Sequence, residues 1–203
     1  MEKIDYKKRL KHLYGPSPVK PEIVEVPQMN FLMVDGLGDP NTAKSFSDAI
    51  EALFPVSYAL KFMVKKGKKP IDYGVMPLEA LWWSDDMSAF TTGNKDAWKW
   101  TVMIMQPGVV TETMTKEARE HTEKKKKRVS LPLVRFGTFE EGKSAQLLHV
   151  GPFSAEGPTI QRLHAFIEEH GSRRVGKHHE IYLSDIRRGA PEKWRTIIRQ
   201  PMS

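Results

Sequence analysis

The stretch WTVMIMQP at residues 100–107 returns as WRTIIRQP at residues 194–201. Both read Trp, five strand-forming residues, then Gln-Pro. Upstream the likeness continues: LWWSDD from Leu81 parallels IYLSDI from Ile181, setting Trp82 against Tyr182 and Ser84-Asp85 against Ser184-Asp185. Similarity at a fixed interval is the mark of a duplicated structural unit.

The order of elements repeats as well. In the first copy, NFLMVDGLGDP (30–40) is a β-branched and aromatic run closed by Gly and Pro, which predicts a strand and a turn. A helix follows, capped by Asn41 or Thr42. Phe46, Ala49, Ile50, Leu53 and Phe54 recur at helical spacing, and Pro55 is expected to kink or split it. Strands are expected near 71–83 and 97–106. In the second copy AQLLHVGPF (145–153) is the strand and turn. Ile160, Leu163, Phe166 and Ile167 line a helix ending at Gly171, and strands follow near 177–184 and 194–200.

Each copy therefore reads β-α-β-β. A single copy cannot bury a sheet face alone, so the expected fold is α+β: duplicated β-α-β-β units forming one curved antiparallel sheet. Helices would cover one face and a concave ligand cleft would occupy the other. The expected organisation is a basic N-terminal extension at 1–28 and a single domain over 29–203. That domain comprises a first repeat (29–107), a helical insertion (108–143) and a second repeat (144–201). The insertion reads as a Thr/Glu/Lys-rich helix over about 111–128 and a short strand, LPLVRFGTF. With little apolar stripe beyond Met114 and Ala118, the helix is expected on the surface.

Composition narrows the chemistry. The chain has 203 residues and no cysteine, which excludes disulfides, thiolate nucleophiles and Cys-ligated zinc. No apolar run reaches the ~20 residues that span a bilayer, and MEKIDYKKRLKHLYGPSP lacks the apolar core of a secretory signal, so a cytoplasmic protein is expected. The net charge is +7. Residues 1–20 hold six Lys/Arg against two acids, and residues 116–128 hold seven against three, so these two segments carry the whole excess. Neither interleaves aromatics with its cations as a single-strand groove would; they read as solvated faces or as a contact for an acidic protein partner. The seven histidines show no metal-binding spacing, and no cofactor motif is present.

The remaining chemistry lies in KHHEIYLSD (177–185). Alternation puts Ile181 and Leu183 on the helix-covered face and leaves Glu180 and Tyr182 on the open one. In the first copy Ala80 and Trp82 would share the open side, with Leu81 and Trp83 inward. A bulge at Pro77 would instead place Glu79 and Trp83 in the cleft. Trp83 and Trp98 are read as core, Trp82 and Trp100 as cleft walls. A carboxylate between aromatic walls serves as counter-ion to a cation or as a base toward water, and Tyr182 would orient it or donate to a developing oxyanion.

PLEALWWSDD (77–86), WKWTVMIMQP (98–107) and HEIYLSDIRRGAPEKWRTIIRQP (179–201) together resemble the stand-alone branch of the GyrI-like small-molecule-binding family. The resemblance covers about Asn30 to Pro201. It implies binding of lipophilic, aromatic or cationic small molecules, as in multidrug effector-binding domains where a buried glutamate meets lipophilic cations. Some stand-alone members are hydrolases that open the cyclopropane ring of cyclopropanoid DNA alkylators. Carried across, Glu180 matches the glutamate of the second copy's strand, and Tyr182, Trp82, Trp83 and, less closely, Trp100 match the aromatic walls; Glu180 and Tyr182 are the expected catalytic pair. A sensing or sequestering protein, or a gyrase-inhibitor-like interaction module, would use the same fold. Nothing in the first 28 residues resembles an added helix-turn-helix module.

Overall fold

A computed structural model describes residues 3–86 and 93–203. The strands in chain order are β1 (Lys3–Ile4), β2 (Glu22–Val26), β3 (Met29–Leu37), β4 (Asp72–Tyr73), β5 (Leu78–Trp83), β6 (Lys99–Gln106), β7 (Arg135–Phe139), β8 (Gly142–Val150), β9 (His178–Tyr182) and β10 (Arg195–Pro201). The helices are α1 (Tyr6–Arg9), α2 (Lys11–Tyr14), α3 (Lys44–Lys66), α4 (Glu112–Lys125) and α5 (Gly157–Glu169). Two compact units divide the chain. The first joins the N-terminal residues through Tyr6 to Met29–Phe139, and the second joins Lys7–Gln28 to Glu140–Ser203.

The class is α+β with antiparallel sheet pairing, and each unit contains the β-α-β-β order read from the sequence. In the first unit β6 pairs with β5 and β3, and β3 with β7. In the second β10 pairs with β9 and β8, and β8 with β2. The third strand of each repeat thus lies between the other two. Residues 7–28, read above as an extension, supply β2 to the second unit.

Three features of the first unit bear on the reading of its sequence. Helix α3 runs unbroken through Pro55, contrary to the expected kink or split. The carbonyl that Pro55 cannot engage belongs to Glu51, which is exposed and can be solvated. Helix α4 packs on α3 instead of standing free on the surface. Its contact face is Thr115, Ala118 and Thr122, with both hydroxyls donating to carbonyls four residues back, so small satisfied residues replace the missing apolar stripe.

The third feature concerns DGLGDP, where a turn was expected. Gly38, with φ of +107°, makes that turn. Gly36 lies inside β3, opposite Trp100. A Cβ there would come within 2.1 Å of the indole. Trp100 is only 1% exposed and cannot swing aside. Gly36→Ala is therefore expected to cost about 1–3 kcal/mol by overpacking, read as a lowered urea midpoint with unchanged slope.

Candidate functional site

Strand β9 divides its side chains between two environments, and the register shows which is which. Tyr182 stands opposite Thr196 and Glu180 opposite Ile198. Across β10, Thr196 meets His149 and Ile198 meets Leu147. Ile198 and Leu147 pack with Ala145, Leu163 and Ile167 beneath α5. Cross-strand partners point the same way, so Glu180 and Tyr182 lie on the helix side of the sheet. The pairing of these two side chains is as expected, but the face is the reverse of the one assigned from alternation.

The opposite face explains the reversal, because in this unit it is covered. Arg199, fully buried, donates to the carbonyl of Leu13, to Gln146 Oε1 and to Glu141 at 3.2 Å. His179 Nδ1 lies 3.0 Å from the same carboxylate, and Gln146 donates to the His12 carbonyl and to Glu22. The N-terminal segment thus roofs a polar network. Burial alone would raise the Glu141 pKa, but His179 and Arg199 together hold it below the usual carboxylate range.

On the helix side Glu180 is held from two directions. The Tyr182 hydroxyl donates to Oε2 at 2.7 Å, and His178 Nε2 lies 3.2 Å from Oε1. The Glu180 side chain is 15% exposed and that of His178 16%. Phe153 stands edge-on to Tyr182, with ring centres 5.6 Å apart, and tilted against Trp194 at 5.2 Å. The Trp194 indole donates to the Gly189 carbonyl, which fixes its plane. A carboxylate beside three aromatic rings fits a planar or cationic guest.

The same loop that carries Phe153 carries a second acid. Glu156 precedes Gly157-Pro158 at the start of α5, is 5% exposed, and makes no capping hydrogen bond. Its Oε1 has no hydrogen-bond partner. Burial, reinforced by the negative charge of Glu180, pushes its pKa up to about 9, against a smaller opposing effect of the Thr196 hydroxyl. Around neutrality Glu156 is therefore held as a neutral carboxylic acid. Sequence reasoning missed both Phe153 and Glu156. The available signal was the loop GPFSAEGP (151–158), an aromatic and an acid bracketed by two Gly-Pro pairs.

Trp98 and Trp194 each follow a 3-10 turn, and each accepts from a glycine amide through its carbonyl, Gly38 and Gly151 respectively. They are the true equivalents, so Trp100 corresponds to Thr196. The alignment of Trp100 with Trp194 through the shared Gln-Pro is thereby corrected by two residues. In the first unit Trp82, Trp98, Trp100 and Phe46 interlock, with ring centres 5.1–5.9 Å apart. In the second, Tyr182 replaces Trp82, Glu180 replaces Ala80, Thr196 replaces Trp100 and His149 replaces Gly36. The aromatic plug of the first unit corresponds to a polar site in the second.

The other residues singled out from sequence belong to the first unit. Trp82 stacks on Phe46 of α3 and Trp100 meets it edge-on, 5% and 1% exposed, so both lie against the helix and not on an open face. Their indole Nε1 groups are buried without an acceptor. Glu79, fully buried, and Trp83, half-buried, point to the sheet face away from α3.

A duplicated β-α-β-β module with a carboxylate held among aromatic rings is the architecture of a small-molecule-binding domain. The model of the GyrI-like small molecule binding domain matches residues 19–202, and the chain belongs to that family. A protein from Listeria innocua described as a hydrolase is 43% identical with a TM-score of 0.86, covering 98% of this chain and all of its own. An uncharacterized conserved protein from the same organism is 44% identical with a TM-score of 0.91 over the same shares. The EcmrR C-terminal domain shares the fold at 14% identity, with a TM-score of 0.55 over 91% of this chain and 97% of its own. No curated protein matches the chain significantly. No described helix is long and apolar enough to cross a membrane.

Proposed function

We propose that the second unit binds lipophilic, aromatic or cationic small molecules at Glu180 and hydrolyses those that carry a strained, electrophilic ring of the cyclopropanoid type. The observation that carries this reading is the Glu180 carboxylate, gripped by Tyr182 and His178, with Phe153 edge-on to Tyr182 and Trp194 packed on Phe153. Similarity to a Listeria innocua hydrolase at 43% identity favours chemistry over binding alone. Glu180 takes a proton from water as the water oxygen attacks the ring carbon. The ring C–C bond breaks, its electron pair passes into the conjugated carbonyl, and the resulting oxyanion takes a proton from solvent, while the Tyr182 hydroxyl keeps Glu180 in place.

A spirocyclopropyl cyclohexadienone in ¹⁸O-labelled water tests this by mass spectrometry. The wild type is expected to yield the labelled alcohol. Glu180→Gln keeps volume and hydrogen-bonding capacity but removes the base, so product formation should fall by about 100-fold or more while binding, read by tryptophan quenching, changes little. Normal turnover by that variant rules out the mechanism. Saturable quenching by the wild type without product leaves a sequestering or sensing protein, a reading that the anionic aromatic site supports by itself.

A further inference from the structure

The run KKKKR at residues 124–128 carries more charge than its helix calls for. Lys124 and Lys125 lie in the last turn of α4, where cations meet the negative end of the helix dipole. Lys126, Lys127 and Arg128 continue beyond it. All four lysines are exposed, and among the described residues none of them makes an ion pair. The acids that share their surface are Glu120 and Glu123, two against five.

The segment that follows sorts its apolar side chains into two sets. Leu131 and Val134 are 2% and 1% exposed, and Arg119 of α4 donates to the carbonyls of Pro132 and Val134 at 3.2 and 3.0 Å. The segment is thus pinned to the helix. Val129 and Leu133 are instead 80% and 59% exposed. One exposed aliphatic side chain is ordinary. Two on a pinned segment, directly after five cations, match a partner that is anionic at its surface and apolar beneath.

We propose that Lys124–Arg128 together with Val129 and Leu133 form a docking surface for an anionic lipid bilayer. The lysines lie at the level of the lipid phosphates, and the two aliphatic side chains enter the acyl boundary below them. Other polyanions fit less of this surface. Nucleic acid offers charge and base faces, but residues 116–134 contain no Phe, Tyr or Trp to stack on them. A wholly acidic peptide engages the lysines and leaves Val129 and Leu133 in water. No described helix is long and apolar enough to cross the bilayer, so this attachment is peripheral. Lipophilic guests partition into bilayers, and docking brings the protein to where they are concentrated. The surface belongs to the first unit and does not depend on the reading of Glu180.

The test is flotation of the full chain with vesicles of phosphatidylcholine, alone or with about 30% phosphatidylglycerol. Binding is expected to the anionic vesicles only, and should be lost at about 1 M salt, where the Debye length is about 3 Å. Lys124→Gln, Lys125→Gln, Lys126→Gln and Lys127→Gln together should lower the affinity by about 100-fold or more, at roughly fivefold per cation. Val129→Ser with Leu133→Ser keeps every charge and should lower it by about tenfold. These positions are all exposed, so the variants should melt with the wild type. The chain has no cysteine, so Val129→Cys takes a single NBD label. Its emission should shift to the blue on anionic vesicles and stay unchanged on phosphatidylcholine alone. Polyglutamate and duplex DNA serve as rival partners. Equal or tighter binding to either, an affinity indifferent to the serine pair, or no binding to anionic vesicles overturns the lipid surface. None of these outcomes bears on Glu180, whose test is turnover.

Discussion

Arg199→Met is expected to destabilise the protein by about 3–5 kcal/mol, because it takes the guanidinium from a buried carboxylate and leaves His179 as its remaining charge partner. Arg199 and Glu141 are both essentially inaccessible, and the guanidinium also holds Gln146 and the Leu13 carbonyl. Methionine fills the volume but supplies none of these hydrogen bonds. The loss should be visible twice: as a lower urea midpoint, and as faster proteolysis of the segment before Glu22, whose roof contact is gone. Adding Glu141→Gln to the variant should recover part of the loss, since it removes the charge that lost its guanidinium. Full additivity of the two changes would show that the pair is not coupled. The pH dependence has a definite sign. Glu141 is held below its ordinary value, so its contribution is present above that value and disappears as pH falls through the folded one. Acid should therefore loosen the N-terminal segment first.

Glu156→Gln should have the opposite effect, stabilising the protein increasingly as pH rises. In the folded state its pKa is raised from 4.5 to about 9. The stability attached to that proton is complete below the unfolded value and is lost steadily as pH rises toward the folded one. Near pH 7 the wild type has forfeited about 3 kcal/mol on this account. A glutamine of the same shape has nothing to ionise. Its melting temperature should exceed that of the wild type by roughly 6–12 °C near neutrality, at ~2–4 °C per kcal/mol for a chain of this size. The gap should close near about pH 4. A gap independent of pH would mean that the gain comes from packing, and that the wild-type acid is not held protonated.

The duplication and the β-α-β-β order were both legible in the sequence, because each rests on local pattern. The assignment of faces was not. Alternation along β9 separates Glu180 and Tyr182 from His179 and Ile181, but it cannot say which set meets the helix when both are covered. Here the second cover comes from residues 11–14, far away in the chain. Glu156 was hidden for a different reason: an acid at the start of a helix looks like a charge placed for the helix dipole. The contact face of α4 was hidden because threonine and alanine do not register as an apolar stripe. The shared Gln-Pro misled by two residues, and only hydrogen bonding at Gly38 and Gly151 reveals the correct correspondence.

The exchange of Trp100 and Gly36 for Thr196 and His149 has a consequence for redesign. After a duplication, one half can be kept as ballast while the other is free to vary. The first half commits its inner surface to indole packed on glycine, a fit that tolerates almost no alteration. The second half has His149 and Thr196 where the first has that glycine and indole, so its inner surface is not committed to the same fit. New guest preferences should accordingly be sought by randomising positions 149, 153, 156 and 196, with the aromatic half left untouched as the reserve of stability.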